Sequence, residues 1–242
     1  MIKNTLLDFE LNSKEDIINA VNRLGFLPYF KNKISGFSIE EHIAPQYWFA
    51  DTEGVWEWKG SIITEGNFAY GKFFNKKAGF ISLKMLPYFA NARRNGYDFD
   101  SRYEDGLASR REKKIMDYYL GTDEFGDTVY KNDDILSTEL KKLAGFGKEG
   151  EKNYPGIMTD LQMQTYLVIS AFRRRKNKKG DEYGMSVSIP LTPEAIWGRE
   201  TVTAAYSEDP ETSRQRLCDR VKELYPKAED NAIDKLIGKI KN

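Results

Sequence analysis

Six basic side chains are clustered between an apolar run and a stretch of alternating apolar residues in the second half of this chain. They are Arg173, Arg174, Arg175, Lys176, Lys178 and Lys179. Cations grouped in this way can neutralise the phosphates of a nucleic acid, and each phosphate contact releases counterions. The alternative is a solvated hairpin tip, which is the usual role of a run of charges.

A second stretch, QYWFADTEGVWEWKG, combines carboxylates with tryptophans. Glu57 between Trp56 and Trp58 would lie in a partly apolar setting, which raises the proton affinity of a carboxyl group. Glu57, with Asp51 as the second choice, could then aim a water at a glycosidic carbon, while the indole rings stack on an extruded base. The favoured interpretation is plainer, namely a strand whose alternate tryptophans anchor a core.

The residue inventory excludes several kinds of chemistry. One histidine, His42, and one cysteine, Cys218, cannot form a Cys/His zinc site, and no phosphate-binding glycine loop is present. Capping or packing is the expected role of His42. The carboxylates between Asp98 and Asp105 could hold Mg²⁺, although two glycine-flanked turns explain them equally well. We therefore expect no metal and no cofactor.

Composition limits the class of protein further. The 242 residues carry 37 basic and 37 acidic side chains, so an anionic partner must be met by a local patch rather than by net charge. Neither an apolar run of membrane-spanning length nor a signal peptide is recognisable. These features predict a soluble cytoplasmic protein without membrane contact, as a monomer or a weak homodimer formed by C-terminal helices.

Local patterns predict the elements that must position these residues. A helix begins after Ser13 and ends at Gly25, and two strands flank the turn NKKAG. The stretch FLPYFKNKISGFS reads as a connection, and Pro87 is expected to kink the helix SLKMLPYFANARRNG. The polar stretch GTDEFGDTVYKNDD reads as a loop.

Residues 132–191 show a helix, a connection, a second helix and two strands around the basic run, which is the order of a winged helix. Such a module places its second helix in a major groove and its wing on the adjacent backbone. The predicted fold class is α+β, with a winged-helix element, an N-terminal α/β region and C-terminal helices. The expected divisions are 1–105 with an aromatic-rich hairpin, 106–199 with the winged helix, and 200–242 as a helical pair on the same body.

Six stretches together carry a resemblance: GFLPYFKNKISGFSIEEH, WEWKG, YGKFFNKKAGFISL, YDFDSRYEDGLASRREK, ELKKLAGFGKEGEK and LQMQTYLVISAF. In them the chain resembles the AlkZ-related bacterial family, which is grouped with AlkZ/YcaQ-type winged-helix DNA glycosylases. The resemblance covers most of residues 20–240. It implies tandem winged-helix elements, duplex DNA binding and excision of alkylated bases without a metal.

The glycosylases carry a catalytic Gln-apolar-Gln motif near the N-terminus, and the triplet here is Gln162-Met163-Gln164, past the middle of the chain. Side chains two apart on a helix point to nearly opposite sides, so both amides would face one site only if the helix ended there. We therefore expect a duplex DNA-binding protein with weak or absent glycosylase activity. The alternative is a winged helix that serves protein interaction or regulation without nucleic acid.

Overall fold

A computed structural model describes residues 10–49 and 53–238 of the chain. The first helix, α1 (Lys14–Leu24), begins where the Ser13 hydroxyl accepts the backbone N–H of Asp16. It ends at Gly25, whose φ of 93° lies in the region that glycine adopts without steric cost. The helix and both of its ends are as predicted.

A three-stranded antiparallel sheet forms the centre of the N-terminal region, in the order β1 (Phe26–Pro28), β3 (Lys77–Ser82), β2 (Phe68–Phe74). The β2–β3 hairpin around Asn75 and Lys76 confirms the predicted strand pair. Residues 26–28 were expected to be a connection, and that expectation is wrong, since Phe26 pairs with Ile81. Pro28 ends this edge strand, where the missing N–H costs no hydrogen bond in the sheet interior.

Four more helices belong to this region: α2 (Ile39–His42), α3 (Pro45–Trp48), α4 (Val55–Gly66) and α5 (Leu86–Arg94). Of these, α4 packs on β2, and α1 packs on β1 and β3. The tryptophan-rich stretch therefore forms a helix from Val55 onward, and its interpretation as a strand is wrong. Pro87 lies in the first turn of α5, where its ring is tolerated, so the expected kink is absent from this helix.

The middle of the chain contains four helices and two hairpins. They are α6 (Phe99–Glu104), α7 (Arg110–Met116), β4 (Leu120–Thr122), β5 (Thr128–Tyr130), α8 (Ser137–Leu143), α9 (Tyr154–Met163), β6 (Val168–Lys176) and β7 (Glu182–Leu191). Part of the predicted polar loop is the small β4–β5 hairpin, in which Leu120 pairs with Tyr130. The pairing of β6 with β7 agrees with the predicted strands.

The C-terminal helices are α10 (Pro193–Trp197), α11 (Arg199–Val202), α12 (Pro210–Leu224) and α13 (Asp230–Ile237). The predicted apolar stripe of α12, including Leu217 and Val221, is fully buried, and α12 packs on α5. These helices share one hydrophobic cluster with the N-terminal sheet, whereas α6 to α9 form a second cluster. The three domain divisions predicted from the sequence, 1–105, 106–199 and 200–242, remain predictions.

Two buried arginines at the end of α5 join the regions. The guanidinium of Arg93 donates to backbone carbonyls of Phe73, Met163 and Ile237. Arg94 pairs with the buried carboxylate of Glu194. Burial disfavours the charge of Arg94, but this carboxylate outweighs it and holds the pKa above the ordinary arginine value. The helix α5 thereby holds β2, α9 and α13 in fixed relation.

Candidate nucleic-acid interface

The β6–β7 hairpin projects from the body of the protein. Its foot is anchored because Val168, Ile169, Ile189 and Leu191 are buried. From Arg173 through strand β7 to Ser186, fourteen consecutive residues are exposed. A two-stranded ribbon has no core of its own, so the foot alone must stabilise it.

All six basic residues predicted as nucleic-acid contacts lie on this exposed part of the hairpin. Arg173 forms an ion pair of 2.7 Å with Asp134, and the guanidinium of Arg175 lies 5.4 Å from the ring centroid of Tyr183. Apart from Arg173, these basic residues make no ion pair within the described residues; the five are Arg174, Arg175, Lys176, Lys178 and Lys179. These five cations have no carboxylate partner there and can meet an anionic partner.

The hairpin tip has a defined turn. The side-chain oxygen of Asn177 accepts the backbone N–H groups of Lys179 and Asp181, and Gly180 adopts a φ of 91°. Asp181 and Glu182 are the acidic residues of the hairpin, against its six basic ones. The tip therefore presents a net positive charge on a pre-formed backbone.

The second helix of the predicted winged helix, α9, is not available to enter a groove as expected. Most of its residues are buried, since it packs against β2 on one side and α7 on another. Its sequence, YPGIMTDLQM, contains no basic residue. In the preceding helix α8, Lys141 and Lys142 are exposed and can face a phosphate backbone.

A cavity of about 280 Å³ lies at the foot of the hairpin, between β2, α9 and the strands β6 and β7; we call it the hairpin-foot cavity. Three aromatic rings contribute to its wall, those of Tyr70, Tyr154 and Phe172. The remaining lining residues are Gly71, Lys72, Ala78, Ser137, Pro155, Met158, Thr159, Gln162, Ile169 and Ser188. A flat apolar group with a few hydrogen-bonding atoms fits this lining.

Polar groups at this cavity are cationic or neutral. The Lys72 ammonium is 3.4 Å from the hydroxyl of Thr159, and the Lys59 ammonium lies 4.5 Å from the ring centroid of Phe172. Partial burial lowers the pKa of Lys59, and burial raises the pKa of Tyr70 to about 12, so that this phenol is neutral at pH 7. Among the described residues, no carboxylate lines the cavity.

The two glutamines of the family motif serve different elements. The Gln162 side-chain oxygen accepts the backbone N–H of Lys72 at 3.0 Å, and its amide nitrogen donates to Met158. The amide of Gln164 donates to Glu112 at 3.0 Å. Although α9 ends at Met163, the amides do not converge on one site. Gln162 lines the hairpin-foot cavity with both of its polar groups already bonded.

The predicted catalytic stretch has a structural role in the helix α4. The Glu57 carboxylate is exposed and accepts the backbone N–H of Gly54 at 3.2 Å, which caps α4, so the apolar setting expected around it is not found. The Trp56 ring packs 5.0 Å from that of Trp48, and the Trp58 ring 5.2 Å from that of Tyr47. Asp51 lies outside the described residues.

The remaining titratable candidates have local structural roles. His42 is within hydrogen-bonding distance of the Gly36 carbonyl, 2.8 Å away. Asp98 caps α6 by accepting the N–H of Ser101, and in the described part of the chain no three His, Cys, Asp or Glu side chains form a group suited to a metal ion. Burial raises the pKa of the Cys218 thiol, which keeps it in the unreactive protonated form.

Sequence reasoning did not find the hairpin-foot cavity. Tyr70, Tyr154 and Phe172 come from a strand of the N-terminal sheet, a helix and the hairpin, and no local pattern brings them together. A signal was nevertheless present, since Phe172 directly precedes the basic run in the sequence. An aromatic residue beside clustered cations is the combination that proteins use to bind unpaired bases.

Fold and site together define a mixed α+β protein with a projecting basic hairpin beside an aromatic cavity. A family model described as AlkZ related matches residues 11–238, so the chain belongs to the AlkZ-related family. Neither the curated proteins nor the solved structures contain a significant match to it. Of the helices that the structure describes, none combines the length and apolarity needed to cross a bilayer.

Proposed function

We propose that this protein binds duplex DNA, with the β6–β7 hairpin as a wing that lies along the phosphate backbone. The observation that carries the proposal is the exposed run from 173 to 186, which includes five cations without a carboxylate partner among the described residues. These side chains are solvated in the free protein. They neutralise phosphates and release counterions when the duplex binds.

Backbone contacts dominate the proposed complex. Base edges are read by a helix or strand that enters a groove, and α9, the helix expected to do so, is covered by β2 and α7. The exposed cations Lys141 and Lys142 of α8 add contacts to phosphate rather than to bases. We therefore expect affinity to depend strongly on salt and weakly on DNA sequence.

The hairpin-foot cavity is the proposed site for an extruded base. An extruded base needs apolar or aromatic faces and a few hydrogen-bonding groups, and the cavity offers Tyr70, Phe172 and the Thr159 hydroxyl. Base excision also requires a group that aims water or stabilises a cationic sugar. No carboxylate lies on its described wall, and the oxygen and the nitrogen of the Gln162 amide each already bond to the backbone. We therefore expect glycosylase activity to be weak or absent.

The binding experiment compares two variants from which four cations have been removed. Replacing Arg173, Arg174, Arg175 and Lys176 by alanine is expected to weaken binding to a fluorescent duplex at least about tenfold at low salt. It is also expected to reduce the slope of log affinity against log salt by up to about 2.7, or about 0.9 for each of the three replaced cations that have no ion pair. The control replaces the exposed Lys33, Lys84, Lys227 and Lys235.

The control variant carries the same change in net charge, so it separates a wing contact from a general electrostatic effect. Equal affinity and salt slope for the wing variant and the native protein would contradict DNA binding by the hairpin. That outcome would favour the alternative, a module that contacts another protein.

Catalysis has its own measurement, which is base release from an alkylated duplex. Native protein is compared with Glu57→Gln, Asp51→Asn and Gln162→Ala. Glu57 and Asp51 remain the proposed carboxylates for any residual activity, and Gln162 represents the family motif. Robust release that survives the two carboxylate changes would reject them, and release lost with Gln162→Ala would assign the reaction to the cavity.

A further inference from the structure

A second cavity, of about 290 Å³, lies at one end of the three-stranded sheet and shares no lining residue with the hairpin-foot cavity. It is formed by the loop after β1, the turn between β2 and β3, and the helix α13. We call it the lysine-ringed cavity, because four lysines contribute to its wall: Lys31, Lys33, Lys77 and Lys235.

The fold places these four lysines around one space. Asn75 and Lys76 adopt φ values of 49° and 65°, the backbone of a tight two-residue turn, and Lys77 follows directly at the start of β3. The Lys77 ammonium donates to the carbonyl of Lys31 at 3.3 Å and lies 5.9 Å from the ring centroid of Phe30. Lys77 is therefore held at the cavity by the loop that carries Lys31.

Lys33 and Lys235 meet from opposite directions of the chain, one from the loop after β1 and the other from α13. The pKa of Lys235 is lowered by the close approach of the like-charged Lys33 ammonium group. Bringing two ammonium groups together costs free energy unless an anion lies between them. Both side chains are exposed, so an anion from solution can reach them.

The positive charge of the four lysines is not offset by a carboxylate on the wall of the cavity, as far as the described residues are concerned. No Asp or Glu lines the cavity, and none of the four lysines forms an ion pair there. Glu40 accepts the backbone N–H of Lys31 at 2.8 Å but does not line the cavity. Some lysines elsewhere on the surface do pair with an acid, as Lys222 does with Asp230 at 2.8 Å.

The floor of the cavity is apolar, formed by Pro28, Phe30, Phe74 and Leu236. A bare inorganic ion would leave this floor in contact with water. A ligand that is charged at one end and apolar or aromatic at the other would cover the floor and meet the lysines. Lysine recognises phosphate as a point charge from several directions, which suits a ring of flexible ammonium groups.

From this geometry we infer that the lysine-ringed cavity binds a small phosphorylated molecule with an apolar or aromatic part, of the class of nucleoside diphosphates. A duplex is not the occupant that the shape favours. DNA phosphates are spread along a convex surface, whereas these four lysines surround a concave space of about 290 Å³. The site is independent of the proposed wing and does not rest on DNA binding.

The experiment is isothermal titration calorimetry of the whole chain with ADP, inorganic pyrophosphate and adenosine. ADP is expected to bind with a stoichiometry of one and more tightly than pyrophosphate, because only ADP covers the apolar floor. Adenosine is expected to show no saturable binding. The double substitution Lys33→Ala and Lys235→Ala should weaken ADP binding roughly tenfold or more, since it removes two charge-assisted contacts.

The matched control replaces Lys141 and Lys142, two exposed lysines of α8 that do not line this cavity. It should bind ADP as the native protein does. Absence of ADP binding, equal loss in both double variants, or pyrophosphate binding more tightly than ADP would each overturn the inference. NMR titration of the Lys235 side chain reports directly on the site, because the pKa of Lys235 is expected to rise when ADP binds.

Duplex DNA is titrated into the same two variants. The substitutions at Lys33 and Lys235 should leave DNA affinity within about twofold of the native value. A DNA loss in this variant as large as its ADP loss would overturn the small-molecule assignment and make the lysines part of a DNA path. Failure of the wing to bind DNA, by contrast, would leave ADP binding unchanged, so the two proposals fail separately.

Discussion

The chain contains two long hairpins with lysine-rich turns, and they differ in how they are used. In the β2–β3 hairpin, six of the seven residues of β2 are buried, and a third strand and the helix α9 pack against it. In the β6–β7 hairpin, only the foot is buried, and residues 173–186 are exposed. Similar local sequences therefore produce one structural hairpin and one that is free to bind.

The difference lies in what covers each ribbon. Phe80 of β3 is fully buried among Tyr70, Tyr29 and Phe68, with ring centroids 4.9 to 6.4 Å away. The large apolar residue near the tip of β7, Met185, is 86% exposed. Side chains that add little to folding are free to be selected for a partner. Burial, rather than charge alone, distinguishes the hairpin that stabilises the fold from the one whose side chains are available to a partner.

The largest expected effect tests this contrast through stability. Phe80→Ala should lower the free energy of unfolding by about 3–5 kcal/mol, because it removes a buried ring and leaves a cavity in the sheet core. Met185→Ala should change it by less than about 0.5 kcal/mol. Urea denaturation followed by circular dichroism measures both. A loss above about 2 kcal/mol for Met185→Ala would show that the projecting hairpin is packed in solution.

Alkaline pH should lower the stability of the protein through ionisation of Tyr70, which lies in the β2–β3 hairpin. Burial raises the pKa of Tyr70 to about 12, from an ordinary value of 10, so the folded state favours the neutral phenol. Its contribution is present in full below pH 10 and is lost as the pH rises from 10 towards 12. A pKa shift of this size corresponds to a loss of at most about 2–3 kcal/mol in the free energy of unfolding.

The measurement is urea denaturation at pH 7 and at several values above pH 10, for the native protein and for Tyr70→Phe. Other buried tyrosines destabilise both proteins at high pH, so the difference between the two is the readout. The native protein should lose more stability than Tyr70→Phe over this range. Parallel pH profiles would contradict the burial of this phenol.

Local signals predicted the parts of the fold that local chemistry determines. Ser13 and Gly25 defined α1 because a hydroxyl cap and a positive φ act within a few residues. The strand at 26–28 was missed because three residues ending in proline carry no alternation. The helix at Val55 was mistaken for a strand because Trp56 and Trp58 alternate like strand residues, although Glu57 marks a helix cap.

The candidate sites were less predictable, because they depend on residues distant in the chain. The burial of α9 follows from its packing on β2, more than 80 residues earlier in the sequence. Lys33 and Lys235 meet across about 200 residues of sequence, and neither lies in a charge run. The basic run at 173–179 was predictable as part of an exposed hairpin, but its first four residues were expected in the connection and lie in β6.

A smaller effect on the free energy of unfolding is expected where the β2–β3 hairpin packs on α9. The pairing of β2 with β3 shifts register between Gly71 and Phe74, and the N–H of Lys72 in this bulge donates to the Gln162 side chain. Gln162→Ala removes that acceptor in a buried position and should cost about 1–3 kcal/mol of unfolding free energy. Gln215→Ala, at an exposed position of α12, is the control and should cost less than about 0.5 kcal/mol.

An unchanged unfolding free energy for Gln162→Ala would mean that the hydrogen bond from Lys72 to this amide does not stabilise the packing of β2 on α9. The base-release assay on the same variant then becomes decisive, because a glutamine that adds no stability in a buried wall is a candidate for chemistry. Loss of stability without any change in base release would assign Gln162 to structure.

The smallest expected effect concerns an ion pair of the β6–β7 hairpin. Within the described residues, Arg173 is the one basic side chain of this hairpin that pairs with an acid, Asp134, at 2.7 Å. Both side chains are largely exposed, so Asp134→Asn should change the unfolding free energy by less than about 0.5 kcal/mol. It should free Arg173 for a phosphate, which steepens the salt dependence of DNA binding by up to about 0.9 in the log–log slope. Asp117→Asn removes the same charge from a pair on α7 and is the control. If both variants bind DNA with the same slope, loss of the ion pair gives Arg173 no new phosphate contact, and the wing acts through the five cations that follow it.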